Sequence, residues 1–96
     1  MSDLRKEELK DFWIDIEDYS KEICVKLEET DEKFHRMLYE QLGRLRYEYY
    51  AYMEKSLFFH IKYIETGSNI YYYNLNELFT NFNDDIDNIM SVVRSL

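Results

Sequence analysis

The sequence predicts an all-α protein, a helical bundle with three principal helices and a long central helix. Its 96 residues contain no proline and only two glycines, the residues that strand-and-turn folds need at their corners. Apolar side chains recur at steps of three and four through most of the chain, which places them on one face of a helix. With 46% hydrophobic residues and this length, we expect a single folded domain over residues 1–96.

The first helix is predicted over residues 3–29, with Ser2 as its N-cap. Lysines and acids lie opposite an apolar stripe that comprises Leu9, Phe12, Trp13, Ile16, Tyr19, Ile23 and Leu27. The polar cluster at residues 28–32 interrupts this stripe. Thr30 or Asp31 can cap a new helix there, and a continuous bent helix is the alternative.

The second helix is predicted over residues 31–65, which gives a length of roughly 50 Å. Ser56 breaks its apolar seam, whose members are Phe34, Leu38, Leu42, Leu45, Tyr49, Tyr52, Phe59 and Tyr63. The seam is widened by Met37, Met53, Leu57, Ile61 and Ile64. Gly67 is expected to end the helix in a left-handed conformation, and Gly43 or Ser56 is a place where the helix can break.

The third helix is predicted over residues 75–95, after an extended connector at residues 70–73. The connector has strand-like composition but no second strand with which to pair. Asn74 and Glu77 form a pattern similar to a capping box. The apolar positions that follow are Leu75, Leu78, Phe79, Phe82, Ile86, Ile89, Met90, Val93 and Leu96.

Candidate catalytic and metal-binding residues are few. Glu32 and His35 form one Glu-x-x-His pair, whereas di-iron bundles need this motif twice, with two further glutamates. His60 has apolar neighbours and is expected to be a hydrogen-bonded core or interface histidine. Isolated glycines cannot build a phosphate-binding loop, and the aspartates of residues 84–87 fit a solvated helix face. The sequence therefore predicts no enzyme, no metal and no cofactor.

The charge balance also limits the classes of partner. The net charge is −8, with 20 acidic and 12 basic residues, which opposes adhesion to DNA or to anionic membranes. Basic residues alternate with tyrosines along the second helix, but glutamates lie among them, so no basic stripe remains. Cys24 is the single cysteine, and no apolar run approaches the ~20 residues that span a bilayer. We expect a cytoplasmic protein without direct tight nucleic-acid binding and without membrane association.

Aromatic residues are the one compositional excess, with ten tyrosines, six phenylalanines and one tryptophan. In an antiparallel hairpin, the first helix covers the second up to about residue 57, so the third helix alone covers the rest. This geometry predicts an interface for homo- or hetero-oligomerisation, because a helix that is apolar all round must be buried all round. The predicted interface residues are Phe58, Phe59, Ile61, Tyr63, Tyr71, Tyr72 and Tyr73.

The order of the elements resembles the helical domain of the GINS family of replication-fork subunits. The likeness is carried by Leu-Lys-Asp-Phe-Trp at residues 9–13, by Met-Leu-Tyr-Glu at residues 37–40 with Arg44, and by Asn-Leu-Asn-Glu-Leu-Phe at residues 74–79. The chain departs from the family at residues 57–60, which are Leu-Phe-Phe-His where basic residues are usual. The small β-domain of most members has no counterpart in these 96 residues.

The resemblance implies a helical-domain-only subunit or fragment. Its implied role is a non-enzymatic scaffold that bridges the replicative helicase and its partners, with association with the nucleoid through those partners. The alternative hypothesis is a small acidic effector of a virus or mobile element that binds and inhibits a host nucleic-acid-processing protein. A helical-hairpin secretion substrate is disfavoured because no Trp-x-Gly sequence occurs.

Overall fold

Helices dominate the part of the chain that the computed structural model describes, which is Phe12 and residues 14–96. In chain order they are α1 (Glu17–Glu29), a short 3-10 helix (Glu32–Phe34), α2 (His35–Thr66) and α3 (Asn69–Arg94). No β-strand occurs in these residues. The bundle measures 53 × 18 × 17 Å and is as long as its central helix α2 requires. The all-α bundle with a long central helix is confirmed.

Helix α1 begins later than the sequence predicted. Ile14 to Ile16 are not helical, and the Asp15 carboxylate accepts a hydrogen bond from the Glu17 backbone N–H at 2.9 Å. A side-chain acceptor at this position satisfies a free N–H of the first turn, so the helix starts here. The predicted start at residue 3 and the Ser2 cap lie outside the described residues.

The break between α1 and α2 lies where the polar cluster predicted it. Thr30 and Asp31 are extended, with ψ of 160° and 150°, so the alternative of one continuous bent helix is wrong. The Thr30 hydroxyl donates to the Lys26 carbonyl at 2.7 Å, and the Phe34 N–H donates to the Asp31 carbonyl at 2.9 Å. These bonds turn the chain into the 3-10 helix that leads directly into α2.

Helix α2 continues for 32 residues and does not break at Gly43 or at Ser56. The Ser56 hydroxyl lies 3.2 Å from the Met53 carbonyl and donates to it, which allows this polar side chain to sit in the core. Gly67 then ends the helix with φ of 69°, and its N–H donates to the Tyr63 carbonyl at 2.8 Å. The predicted left-handed terminator is confirmed.

Helix α3 begins at Asn69, so the predicted connector at residues 70–73 and the predicted cap at Asn74 are wrong. Ser68 precedes the helix with extended backbone angles (φ −73°, ψ 127°). Tyr71, Tyr72 and Leu75 pack against the same cluster of apolar side chains. Helical spacing brings all three to that cluster, so packing outweighs the weak strand preference of a tyrosine run.

Two apolar clusters hold the bundle together. The larger one joins all three helices, and its fully buried members are Ile23, Leu38, Leu45, Ile86, Ile89, Met90 and Val93. The smaller one is built from Phe12, Tyr63 and Leu75, with half-buried neighbours around them. It lies at the distal end of the bundle, defined as the end where α2 finishes and α3 begins. Among the described helices, none combines the length and apolarity needed to cross a bilayer.

Candidate protein-interaction surface

Phe12 is the centre of the distal cluster. Its ring makes edge-on contacts with Tyr72, at a centroid distance of 5.3 Å, and with Phe79, at 5.6 Å. The Phe12 carbonyl accepts a buried hydrogen bond from the Tyr52 hydroxyl, 40 residues away in sequence. The expectation that α3 alone covers the distal part of α2 is therefore wrong. Phe12, which lies five positions before the start of α1, packs there too.

Tyr52 joins the two clusters. Its ring stacks on Phe82 with a centroid distance of 4.5 Å and an interplanar angle of 14°. Burial raises the pKa of its phenol to about 12, because an ionised phenolate would lose its hydration there. Tyr52 is thus a structural residue with its hydroxyl satisfied internally, and it is not available to a partner.

The predicted interface residues separate into three groups. Phe58, Ile61 and Tyr73 are exposed, at 54%, 46% and 67% of their surface. Three others are half-buried and pack against the distal cluster, namely Phe59, Tyr71 and Tyr72. Tyr63 is 7% exposed and belongs to that cluster, which corrects its assignment to an accessible interface.

Sequence reasoning missed part of the exposed apolar side of α2 that faces away from the core. Tyr47, Tyr50 and Leu57 are exposed by 73%, 70% and 59%. With Glu54, Phe58 and Ile61 they form the outer face of α2. Leu57 and Met37 were predicted only to widen the apolar seam, and they lie outside the core, with Met37 41% exposed. Ile61 was predicted both to widen the seam and to lie in the interface, and its exposure agrees with the second. The signal was present, since residues 47, 50, 54, 57 and 61 repeat at steps of three and four.

Two open grooves border the outer face. One has a volume of about 540 Å³ and is lined by Phe12, Tyr50, Tyr52, Met53, Glu54, Ser56, Leu57 and His60. The other, which we call the Phe58 groove, has a volume of about 340 Å³ and is lined by Ala51, Glu54, Lys55, Phe58 and Phe59. Apolar and aromatic side chains predominate in both. Such surfaces suit the insertion of apolar side chains from another macromolecule.

In the described part of the chain, neither histidine forms a reactive site with its neighbours. Among the described residues, no hydrogen-bond partner is found for the buried Nε2 of His60, so the predicted hydrogen bond of this nitrogen is absent. Burial lowers the pKa of His60, which favours its neutral form. His35 Nε2 lies 3.2 Å from the Thr30 carbonyl and contributes to the turn between α1 and α2.

No arrangement in the described part of the chain gathers metal ligands. Groups of three or more His, Cys, Asp or Glu side chains placed to hold an ion are not found there. The single Glu-x-x-His pair consists of Glu32 in the 3-10 helix and His35 at the start of α2. Cys24 is exposed on α1. The outer face of α2 is therefore the candidate functional site.

Comparison with known proteins yields no relative: no protein-family model matches the chain, and neither curated proteins nor solved structures give a significant match. The resemblance to the GINS family stays a prediction based on the residues that suggested it.

Proposed function

We propose that this chain is a non-enzymatic protein-interaction subunit that contacts its partner through the outer face of α2. The carrying observation is the run of exposed apolar side chains from Tyr47 to Ile61 on the face opposite the core. Contiguous apolar patches of this kind are uncommon on monomers and are typical of interaction sites. Burying each large apolar side chain is worth about 1.5–3 kcal/mol, so a partner that covers several gains substantial affinity.

The composition of the face also suits protein recognition. Tyrosine and phenylalanine are enriched in interfaces, because large rigid rings bury much area at a low cost in side-chain entropy. Tyr47 and Tyr50 combine an apolar ring with a hydroxyl that stays hydrated when the surface is free. The face is thus compatible with a chain that is soluble alone and associates when its partner is present.

Two identities for this subunit follow from different observations. The GINS resemblance supports a scaffold of the replication machinery that bridges the replicative helicase and its partners. The acidic surface supports the alternative, an effector that occupies the basic nucleic-acid-binding surface of a host protein. Glu17, Asp18, Glu28 and Glu29 are all exposed on α1, and they are joined by Asp31 and Glu32 in the turn that follows. Sister subunits or helicase among co-purified proteins favour the first identity, and a polymerase or nuclease favours the second.

The test is a double substitution, Leu57→Glu with Ile61→Glu, beside the matched control Val25→Glu. Val25 is also a large exposed apolar residue, 49% exposed, but it lies on α1. Light scattering of the purified chain and mass spectrometry of co-purified proteins are measured for each variant. We expect the double variant to keep its helical circular dichroism and to lose the associations of the wild type, and the control to keep both. A folded double variant with unchanged mass and unchanged partners would refute the proposal.

A further inference from the structure

A regular stripe runs along α2 beside the Phe58 groove. Its members alternate at steps of three and four over three heptads: Arg44, Tyr47, Ala51, Glu54, Phe58, Ile61 and Glu65. All are exposed except Ala51, which is half-buried. A heptad stripe is the pattern by which two long helices pack side by side, and the helices of the described residues leave it exposed. We call it the heptad stripe.

The charges on the heptad stripe are complementary to the same stripe read in the opposite direction. An antiparallel pairing centred between Glu54 and Lys55 places Arg44 opposite Glu65 of the partner subunit. The same centre places Glu54 beside its own copy, with Lys55 of the partner subunit one residue further along and outside the stripe. The contact between Arg44 and Glu65 occurs twice, because the two-fold axis repeats it. Arg44 and Glu65 are both exposed. Within α2, Arg44 donates to Gln41 Oε1 at 3.5 Å and Glu65 lies 3.7 Å from the Lys62 ammonium, and pairing with a second copy exchanges these surface contacts.

A parallel pairing of the same stripe is unfavourable. In parallel register each residue meets its own copy, so Arg44, Glu54 and Glu65 all meet like charges. The antiparallel pairing leaves only Glu54 of these three beside its own copy. Like charges directly opposite one another destabilise helix pairing. The charges of the stripe thus favour antiparallel over parallel pairing of two copies. Binding of an unrelated partner does not require this arrangement of charges.

The shape of the Phe58 groove fits the same arrangement. The axis that pairs Arg44 with Glu65 of the partner subunit also sets Phe58 of the partner subunit opposite Ala51. Ala51 lines the Phe58 groove, and its small side chain leaves room for a ring between Glu54 and Lys55. Two rings are exchanged in each dimer, one in each direction. One position of the axis therefore accommodates both the two contacts between Arg44 and Glu65 and the packing of Phe58.

We propose that a second copy of this chain packs antiparallel along α2, with a two-fold axis between Glu54 and Lys55 and each Phe58 seated in the other's Phe58 groove. This inference rests on the proposed function, because it places the partner on part of the same face. From Arg44 to Glu65 the paired segments extend over about 31 Å of helix.

Charge exchange tests the pairing without changing the apolar surface. Sedimentation equilibrium is measured for wild type, Arg44→Glu, Glu65→Arg and the double variant that exchanges the two charges. We expect each single change to weaken the dimer roughly tenfold, because two contacts per dimer become repulsive, and the double exchange to restore it to within about threefold. Additive weakening in the double variant would overturn the proposed pairing.

Substitution of Phe58 tests the packing. We expect Phe58→Ala to weaken the dimer by about a hundredfold, since two buried rings are lost. Tyr73→Ala is the matched control, since Tyr73 is 67% exposed but lies on α3 outside the stripe. Circular dichroism and urea denaturation verify that both variants fold. Equal effects of the two changes on a folded protein would argue against the groove.

Direction is tested by cross-linking of single cysteines with a short bismaleimide in a Cys24→Ser background. We expect Glu54→Cys to cross-link to its own copy near the axis. Glu65→Cys should not, because the two copies of residue 65 lie about 31 Å apart. A mixture of Arg44→Cys and Glu65→Cys chains should cross-link as a heterodimer. Efficient self-linking of Glu65→Cys would overturn the antiparallel direction.

A purified wild-type chain that stays monomeric at all accessible concentrations would overturn this inference. The proposed function would survive if Leu57→Glu with Ile61→Glu still removed a different partner. The two proposals therefore fail by different measurements.

Discussion

Replacing Tyr52 by phenylalanine removes one hydroxyl and leaves the ring that stacks on Phe82 in place. The lost group is the donor to the Phe12 carbonyl, which lies in the interior beside a side chain only 4% exposed. A buried acceptor without its donor costs about 1–3 kcal/mol. For a domain of this size, each kcal/mol lowers Tm by roughly 4–8 °C. We therefore expect Tyr52→Phe to be clearly destabilising at pH 8.

The same substitution should matter less at alkaline pH. The folded-state pKa of Tyr52 is about 12, above the ordinary value of 10.0, so its stabilising contribution is complete below pH 10 and is lost as pH rises toward 12. At pH 11 the phenol is mostly ionised in the unfolded chain and mostly protonated in the folded one. This difference removes about 1.4 kcal/mol from the wild type, and Tyr52→Phe has no such group to lose.

The assay is urea denaturation of both proteins at pH 8 and at pH 11. The stability difference between them should shrink by about 1.4 kcal/mol at the higher pH. Because all other tyrosines and lysines titrate in both proteins, their effects cancel in this difference. Tyr50→Phe is the control, since this neighbouring phenol is 70% exposed, and we expect a change within about 0.5 kcal/mol at either pH. A difference between wild type and Tyr52→Phe that is equal at pH 8 and pH 11 would refute the reasoning.

Four further substitutions are tested with the same urea denaturation assay at pH 7, the last of them at pH 4 as well. Leu45→Ala should cost about 2.7–5 kcal/mol, because Leu45 is fully buried in the larger cluster, and a loss below 1 kcal/mol would contradict that burial. Gly43→Ala should stabilise by about 0.5–1 kcal/mol, since a Cβ at this mid-helix position meets nothing within 4 Å. Gly67→Ala should destabilise by about 1–2 kcal/mol, because a φ of 69° is unfavourable for alanine. Equal effects of the two glycine substitutions would contradict this explanation. Burial and the nearby Asp85 carboxyl raise the pKa of Glu48, so the contribution of this group to the free energy of unfolding is present at acid pH and is lost as pH rises. Glu48→Gln should therefore raise the free energy of unfolding at pH 7 by about 0.2–1 kcal/mol and should not raise it at pH 4.

Local sequence features predicted the elements whose ends are determined locally. The end of α2 followed from Gly67, because a left-handed residue terminates a helix whatever packs around it. The break after α1 followed from the polar cluster at Thr30 and Asp31. The start of α3 did not follow, because a tyrosine run is compatible with a strand or a helix. Its packing against Phe12, which is distant in sequence, decides the outcome.

The interaction surface was only partly predictable for a related reason. Helix α2 carries apolar residues on two sides, and periodicity alone does not say which stripe meets the bundle. Tyr63 and Leu57 were both assigned to the apolar seam, yet one is buried and the other is largely exposed. The contact between Tyr52 and Phe12 joins residues 40 positions apart, and such pairing leaves no signal in a single sequence.

The division of α2 into two sides also separates folding from association. The fully buried side chains lie within the bundle, and the outer face contributes none of them. Outer-face residues are hydrated in both the unfolded and the folded monomer, so their exposure costs the monomer little, and burying them stabilises only the complex. A polar substitution at Leu57, Phe58 or Ile61 therefore changes affinity far more than it changes the free energy of unfolding. Loss of association at constant stability is the result that distinguishes an interface from a core, and this helix makes the two separable.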